Sequence, residues 1–175
     1  MPQRNRLTLP SASVQDQLRG RAKWNERRSA ERADFFTLGY TGRKLDELLS
    51  LMQTAGVRTL LDIRQNPVSM YRPELSKANL KATVESAGIA YVHAPDLGVP
   101  RDIRAKAIDA GSREVIWHWY DEHIVGPRFG RNLHWFLNGF ELPAALMCVE
   151  IDPHECYRHR LSAALERQGL RGFDL

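Results

Sequence analysis

The alternation of strand-length apolar runs with helical patterns is the feature that most limits what this chain can fold into. Apolar runs at residues 35–40, 57–63, 89–92 and 144–149 have the length of β-strands, and segments with apolar residues at helical spacing separate them. This alternation is typical of a parallel sheet connected by helices. The sequence therefore predicts an α/β fold in a single domain, with a mainly parallel sheet of about four to five strands and helices on both faces. Within this pattern we expect Ser76 to cap the helix after the second strand, Gly111 to break the helical stretch 100–125, and residues 171–175 to add an edge strand.

Charge divides the chain into two parts. Residues 1–34 contain eight basic and four acidic residues, a net charge of +4, whereas the remaining 17 basic and 17 acidic residues balance. A length of 175 residues suits one hydrophobic core better than two. We therefore predict a basic N-terminal arm over 1–34, flexible or helical, and one α/β domain over 35–175. The arm is typical of a solvated tail, and contact with nucleic acid is the alternative.

Composition argues against a membrane or secreted protein. No apolar run approaches the roughly 20 residues that a spanning helix needs, and the basic start lacks the apolar stretch of a secretory signal. Two cysteines are too few for a disulfide framework. The sequence thus predicts a cytoplasmic protein without membrane contact, and it leaves the oligomeric state open.

Polar residues lie at or just beyond the carboxyl ends of the four predicted strands, where parallel sheets bind their ligands. They are Tyr40, Asp62 with Arg64, His93, and Glu150. A period of two places Asp62 and Arg64 on one face, so a buried structural ion pair is one interpretation, and Glu150 could equally cap a loop. Because four strands end alike, we favour a pocket for a small polar or anionic ligand.

A strong helix signal follows the last apolar strand. Asp152 is the predicted N-cap, and Glu155 stands three residues later at capping-box spacing. This pattern predicts Cys156 in the first helical turn, where the helix dipole and the nearby His159 and Arg160 would favour a thiolate. Cys156 is therefore a candidate nucleophile, and packing as a small apolar residue is the alternative.

Cys148 lies within an apolar strand, which is typical of a buried and inert thiol. A regulatory disulfide with Cys156 is an alternative that depends on the distance between them. Cysteine, histidine and acidic residues are dense from 148 to 159, but in a continuous helix His154 and Cys156 would point in nearly opposite directions. We therefore predict no metal and no cofactor.

Three segments, at 35–69, 90–98 and 145–160, resemble those of the bacterial domain of unknown function 488 family, DUF488, over about residues 35–175. The resemblance implies a compact α/β protein whose hallmark residues here are Asp62, Arg64, Pro67, Cys148, Glu150, Cys156 and Arg158. Tyr157 stands where the family commonly has histidine. A mechanism that needs an imidazole there would require His159 instead.

Together these features predict an enzyme, a cysteine- or carboxylate-dependent hydrolase or transferase, acting on a nucleotide, a nucleic-acid base or a similar small polar substrate. The predicted catalytic residues are Cys156, Asp62 and Glu150, and the predicted substrate-binding residues are Arg64, Arg158, Tyr40, His93 and His159. The alternative is a non-catalytic regulatory module that binds a ligand in the same cleft and nucleic acid through its arm.

Overall fold

The structure, a computed structural model, describes residues 33–129 and 134–175. It contains one parallel sheet with the strand order β3-β2-β4-β1-β5. The strands are β1 (Phe35–Gly39), β2 (Thr59–Asp62), β3 (Ala90–His93), β4 (Ala144–Cys148) and β5 (Gly172–Asp174). The predicted single α/β domain with a parallel sheet is confirmed, including the edge strand formed by the last residues.

Helices connect the strands. They are α1 (Leu45–Thr54), α2 (Lys77–Ser86), α3 (Arg101–Asp109), α4 (Glu114–Tyr120), α5 (Gly126–Phe129), α6 (His134–Asn138) and α7 (Arg158–Arg167). A π-helical turn, Asp121–Val125, joins α4 to α5. The chain breaks between α3 and α4 at Gly111, as predicted, where a φ of +60° suits glycine because it has no Cβ.

The helices cover both faces of the sheet and bury two separate cores. On one face, Leu38 and Leu60 pack with residues of α1 and α2, among them Leu48 and Leu80. On the other face, Phe35, Leu61, Leu146 and Cys148 pack with residues of α3, α4 and α7. We call these the α1 face and the α7 face. Because side chains alternate along each strand, neighbouring residues at a strand end belong to different faces.

The carboxyl ends of four strands lie side by side. Gly39 pairs with Cys148, and Asp62 pairs with both Met147 and His93. A Cβ on Gly39 would collide with the backbone of Glu150, so glycine at this position lets the chain that leaves β4 pass close over the end of β1. This close approach fixes where Glu150 lies.

The helix predicted from Asp152 onward is interrupted. Asp152 accepts a hydrogen bond from the backbone N–H of His154 at 2.8 Å, as an N-cap should, but Pro153–Glu155 is only a short 3₁₀ turn and no capping box forms. Cys156 is extended, with φ −122° and ψ 143°, and α7 begins at Arg158. The predicted helical position of Cys156 was wrong.

Tertiary contacts of the next two residues explain the interruption. The Tyr157 hydroxyl donates to the carbonyl oxygen of Ile63 at 2.8 Å, and the buried guanidinium of Arg158 donates to the carbonyl oxygen of Ile151 at 2.9 Å. A regular helix from Asp152 would direct these two side chains elsewhere, so packing overrides the local signal.

Ser76 occupies the N-cap position of α2, but its side chain does not cap the helix. Its hydroxyl instead donates to the carbonyl oxygen of Ser69 at 3.3 Å and accepts from the Ser69 N–H at 3.0 Å. The predicted side-chain cap was therefore wrong, because the hydroxyl closes the loop after β2.

The arm predicted over 1–34 lies outside the described residues except for its last two, of which Asp34 accepts a hydrogen bond from the Arg171 N–H at 2.8 Å. In the described part of the chain, every helix is too short or too polar to cross a bilayer.

Candidate functional site

The structure divides the predicted site residues into two groups at the carboxyl edge of the sheet. Tyr40, Asp62, Arg64 and His93 lie on the α1 face with Tyr91, and we call these five residues the Asp62 cluster. Cys148, Glu150 and Cys156 lie on the α7 face and form what we call the thiol cluster, beside Arg158 and His159. The eight predicted catalytic and substrate-binding residues therefore do not form a single pocket.

A bidentate ion pair forms the centre of the Asp62 cluster. Arg64 Nε donates to Asp62 Oδ1 at 2.8 Å and Nη2 donates to Oδ2 at 2.6 Å, while the Tyr91 hydroxyl donates to Oδ2 at 2.7 Å. The Arg64 N–H adds a fourth bond, to Oδ1, at 3.2 Å. Asp62 is 0% exposed and Arg64 3% exposed, so the ion pair is buried and both carboxylate oxygens are occupied.

The remaining contacts hold this ion pair in place. Arg64 Nη2 also donates to the carbonyl oxygen of Leu75 at 3.0 Å, and the guanidinium lies 5.3 Å from the centre of the Tyr40 ring. His93 Nε2 lies 2.9 Å from the carbonyl oxygen of Arg64. Neither Asp62 nor Arg64 presents an accessible polar group to a substrate, and the geometry favours the structural ion pair.

The pKa shifts in the Asp62 cluster agree with a structural ion pair. Burial alone would lower the pKa of Arg64, but the hydrogen bonds and the charge of Asp62 outweigh it and raise the pKa. Burial, followed by the hydrogen bond to Asp62, also raises the pKa of Tyr91. The Arg64 guanidinium therefore stays charged and the Tyr91 phenol stays neutral at neutral pH.

The thiol cluster is built by the chain that leaves β4. Cys148 is the last residue of β4, Glu150 follows over the end of β1, and the Pro153–Glu155 turn brings Cys156 back towards the strand. The two sulfur atoms and one Glu150 carboxylate oxygen all lie within 4.8 Å of one another. Two thiols and a carboxylate thus converge at one point.

Only one member of the thiol cluster reaches solvent. Cys148 and Cys156 are each 1% exposed, whereas the Glu150 side chain is 34% exposed. The Cys148 thiol donates to Glu150 Oε2 at 3.7 Å, and the Cys156 sulfur accepts from the Arg158 N–H at 3.5 Å. The carboxylate therefore lies between buried sulfur and bulk water.

The two thiols differ in acidity. Burial, and then the neighbouring Cys148, raise the pKa of Cys156. Burial also opposes ionisation of Cys148, but hydrogen bonds, that from the Cys156 thiol first, outweigh it and lower the pKa of Cys148. Ionisation of the pair is therefore easier at Cys148 than at Cys156.

The groups expected to activate Cys156 point elsewhere. His159 Nδ1 contacts the carbonyl oxygen of Cys156, and its ring packs edge-on against Trp117 with ring centres 4.9 Å apart. The Arg160 guanidinium pairs with Asp121, with an Nε to Oδ1 distance of 3.1 Å. The expected helical spacing fails because Cys156 is extended. The nucleophile role of Cys156 stays a prediction.

Arg158 holds the backbone of the thiol cluster. Its side chain is buried, and it donates to Thr37 Oγ1 at 3.3 Å and to the carbonyl oxygens of Glu150 and Ile151. No carboxylate of residues 33–129 or 134–175 forms an ion pair with it. Arg158 therefore carries a buried positive charge beside the cluster, with its donors directed at neutral oxygens.

Sequence reasoning missed two residues that contact these clusters. Tyr91 completes the Asp62 cluster, and its position two residues before His93 was a signal for the same face. Arg113 lies 4.0 Å from Glu150 Oε1 and 3.3 Å from Glu155 Oε2, measured from Nη1 and Nε respectively. Arg113 belongs to the distant α3–α4 connection, so no local pattern indicated it.

A cavity of about 650 Å³ lies at the beginning of α1, and none of the predicted site residues lines it. Its lining includes Arg43, Lys44 and Arg72 together with Asp46 and Glu74. Because its basic groups are accompanied by acidic ones, we assign no ligand to it.

Comparison with known proteins places the chain in a family. No curated protein sequence and no solved structure matches it. The family model described as domain of unknown function DUF488 matches residues 44–165, a range that contains all the cluster residues except Tyr40. This match covers more than half of the chain and confirms the resemblance identified in its motifs: the protein belongs to the DUF488 family.

Proposed function

We propose that this protein is an enzyme, a hydrolase or transferase, that acts on a small polar or anionic substrate at the thiol cluster. The observation that carries the proposal is the convergence of Cys148, Glu150 and Cys156, whose sulfur and oxygen atoms lie within 4.8 Å of one another at the end of a central strand. Reactive groups at the carboxyl ends of parallel strands are the usual arrangement in such sheets.

Accessibility favours Glu150 over Asp62 as the carboxylate of the reaction. Asp62 is fully buried and its oxygens accept four hydrogen bonds, whereas the Glu150 side chain is partly exposed and, among the described residues, makes its polar contacts with the Cys148 thiol and Arg113. A group that exchanges protons or holds a reacting species must reach the substrate. Asp62 and Arg64 then stabilise the sheet edge without contacting substrate.

Arg113 is the guanidinium best placed to bind an anionic group. Its side chain is 49% exposed and lies beside Glu150, whereas Arg64 and Arg158 are buried. Arg113 Nη1 donates to the carbonyl oxygen of Glu155 and Nε lies 3.3 Å from the Glu155 carboxylate, so a ligand would meet the rest of the exposed guanidinium. Guanidinium groups bind phosphate and carboxylate oxygens through paired hydrogen bonds. Nucleotides and nucleic-acid bases belong to the substrate class that such a site would accept.

A second candidate is non-catalytic binding of the same ligands. It is favoured by the 1% exposure of both thiols, which leaves only Glu150 and its surroundings in contact with solvent. A binding module needs recognition without turnover, so the two candidates differ in whether Glu150 is required for product formation or only for affinity.

Turnover of a panel of nucleotides, nucleosides, free bases and simple phosphate esters tests the proposal. We expect Glu150→Gln to lower turnover by about 100-fold or more, the size typical of a lost acid–base group. Glu155→Gln is the matched control, because Glu155 also pairs with Arg113 but lies outside the thiol cluster. Thermal unfolding of both variants verifies that they fold.

Equal turnover by Glu150→Gln and the wild type would contradict the proposal. Ligand binding by the wild type, measured by calorimetry without any product, would instead support the binding module.

A further inference from the structure

We infer that the thiol cluster binds one zinc ion through Cys148 Sγ, Cys156 Sγ and a carboxylate oxygen of Glu150. The inference rests on the site of the proposed function and deepens it by naming the metal that the site holds. The three atoms already converge within 4.8 Å, so that one ion could reach all of them.

The donor types fit zinc. Thiolate sulfur and carboxylate oxygen are both zinc ligands, and soft thiolates select zinc over magnesium or calcium. Three protein ligands leave a fourth tetrahedral position for water or substrate, which is the arrangement of catalytic zinc sites rather than structural ones. The partly exposed Glu150 side chain provides the route by which an ion would enter.

The distances are close to those of a tetrahedral centre. Zinc–sulfur bonds of about 2.3 Å and zinc–oxygen bonds of about 2.0 Å separate a sulfur and an oxygen ligand by about 3.5 Å, and two sulfur ligands by about 3.8 Å. Cys148 Sγ and Glu150 Oε2 are 3.7 Å apart, and the Cys156 sulfur lies within 4.8 Å of the Cys148 sulfur and of a Glu150 carboxylate oxygen. Small side-chain movements would complete the coordination geometry.

Neighbouring groups match the outer shell of a metal site. Ligating carboxylates are usually held by a second contact, and Glu150 divides its two oxygens in this way. Oε2 lies towards Cys148, and Oε1 lies 4.0 Å from Arg113 Nη1. The Cys156 sulfur accepts the Arg158 N–H at 3.5 Å, a contact that orients a coordinated thiolate.

Charge balance supports the same assignment. Two thiolates and one carboxylate carry three negative charges, so a zinc ion leaves the site with one net negative charge. Arg158 supplies a buried positive charge close by, and it has no carboxylate partner among the described residues. An isolated buried charge is costly, and a negatively charged metal centre would offset it.

The local structure around Cys156 explains why the sequence analysis predicted no metal. That prediction assumed a continuous helix in which His154 and Cys156 diverge, but Cys156 is extended and pairs with Cys148 and Glu150 instead. Binding exchanges two thiol protons, which leave to solvent, for the ion. With zinc bound, Glu150 would serve the proposed reaction by holding the ion, and the open fourth position would be available to polarise a substrate oxygen or to activate water.

Metal titration of the full, reduced chain tests the inference without any substrate. We expect one Co²⁺ or Zn²⁺ per chain, with a thiolate-to-cobalt charge-transfer absorption for Co²⁺. Cys148→Ser and Cys156→Ser should lose this absorption. Arg113→Gln, an outer-shell change, should weaken zinc binding about tenfold. Glu155→Gln, whose carboxylate lies outside the cluster, should bind zinc like the wild type.

A reduced chain that binds no zinc, or serine variants that bind it as the wild type does, would overturn the inference. Should the serine variants fail to fold by circular dichroism, the wild type still decides: both thiols must react more slowly with an alkylating reagent when zinc is present, and equal rates with and without zinc would overturn the inference. Zinc binding without turnover would contradict only the proposed function. Turnover by metal-free protein in the presence of a chelator would contradict the role of zinc in the reaction and leave the proposed function standing.

Discussion

The Asp62 cluster and the thiol cluster end neighbouring strands of the same sheet, yet they differ in whether their polar atoms are satisfied. In the Asp62 cluster, four hydrogen bonds fill both oxygens of a carboxylate that is 0% exposed. In the thiol cluster, two thiols and a partly exposed carboxylate have few partners. In this sheet, a polar residue at a strand end is therefore a better candidate for function when its polar atoms still lack hydrogen-bond partners.

The two clusters also differ in whether their charges are balanced. Asp62 and Arg64 neutralise each other inside the protein, so that cluster is complete without a ligand. On the α7 face, Arg158 is buried with its donors on neutral oxygens, and the acidic groups of the thiol cluster lie beside it. The first arrangement stabilises the fold, whereas the second has capacity for an added ion.

The largest effect should come from breaking the Asp62 ion pair. Asp62→Ala leaves Arg64 buried without its partner, so we expect the free energy of unfolding to fall by about 3–5 kcal/mol. Glu150→Gln, on the other face, should cost under about 1 kcal/mol because its side chain is partly exposed. Urea denaturation of the metal-free variants measures both.

A double variant supplies the control for this difference. Asp62→Leu combined with Arg64→Met removes both charges, and we expect it to be more stable than Asp62→Ala alone. If Asp62→Ala were no more damaging than Glu150→Gln, the structural interpretation of the Asp62 cluster would be wrong.

Sequence patterns predicted the architecture well because it depends on periodicity. The alternation of strands and helices, the break at Gly111 and the C-terminal edge strand were all read from local apolar spacing and glycine, and the structure confirms them. The same reasoning placed Asp62 and Arg64 on one face, where they form the ion pair that was the structural alternative.

The arrangement of the site was harder to predict because it depends on contacts distant in sequence. Tyr157 binds the carbonyl oxygen of Ile63, 94 residues away, and this tertiary contact accompanies the interruption that brings Cys156 towards Cys148. Arg113 contacts Glu150 from a connection between two helices. Neither contact has a periodic signature, so the thiol cluster emerged only from the fold.

Removing the Tyr91 hydroxyl should have the next largest effect. Tyr91→Phe takes one hydrogen bond from a buried carboxylate, so we expect a loss of about 2 kcal/mol in the free energy of unfolding at neutral pH. Tyr71→Phe is the matched control, because Tyr71 is 99% exposed and should change stability little. Equal effects of the two changes would mean that the bond to Asp62 adds nothing.

The same variant should change the alkaline limb of the stability curve. Above pH of about 10 the unfolded phenol of Tyr91 releases its proton, whereas the folded phenol, whose pKa is raised, keeps it. Stability therefore falls as pH rises, by up to about 1.4 kcal/mol per pH unit for this group, and Tyr91→Phe should lack that contribution. Parallel curves of stability against pH for the wild type and Tyr91→Phe would contradict this expectation.

The smallest effect on stability should come from Arg113, although the same change matters to the site. Arg113→Gln breaks contacts of an exposed side chain with Glu150 and Glu155, so we expect a loss below about 1 kcal/mol. Arg64→Gln, the identical change in the other cluster, should cost several times more because it leaves Asp62 buried and unpaired. Denaturation of the two metal-free variants compares them directly. Comparable losses would mean that the thiol cluster is also part of the structural framework, whereas a small loss in Arg113→Gln accompanied by weaker zinc binding would assign this guanidinium to the ligand site.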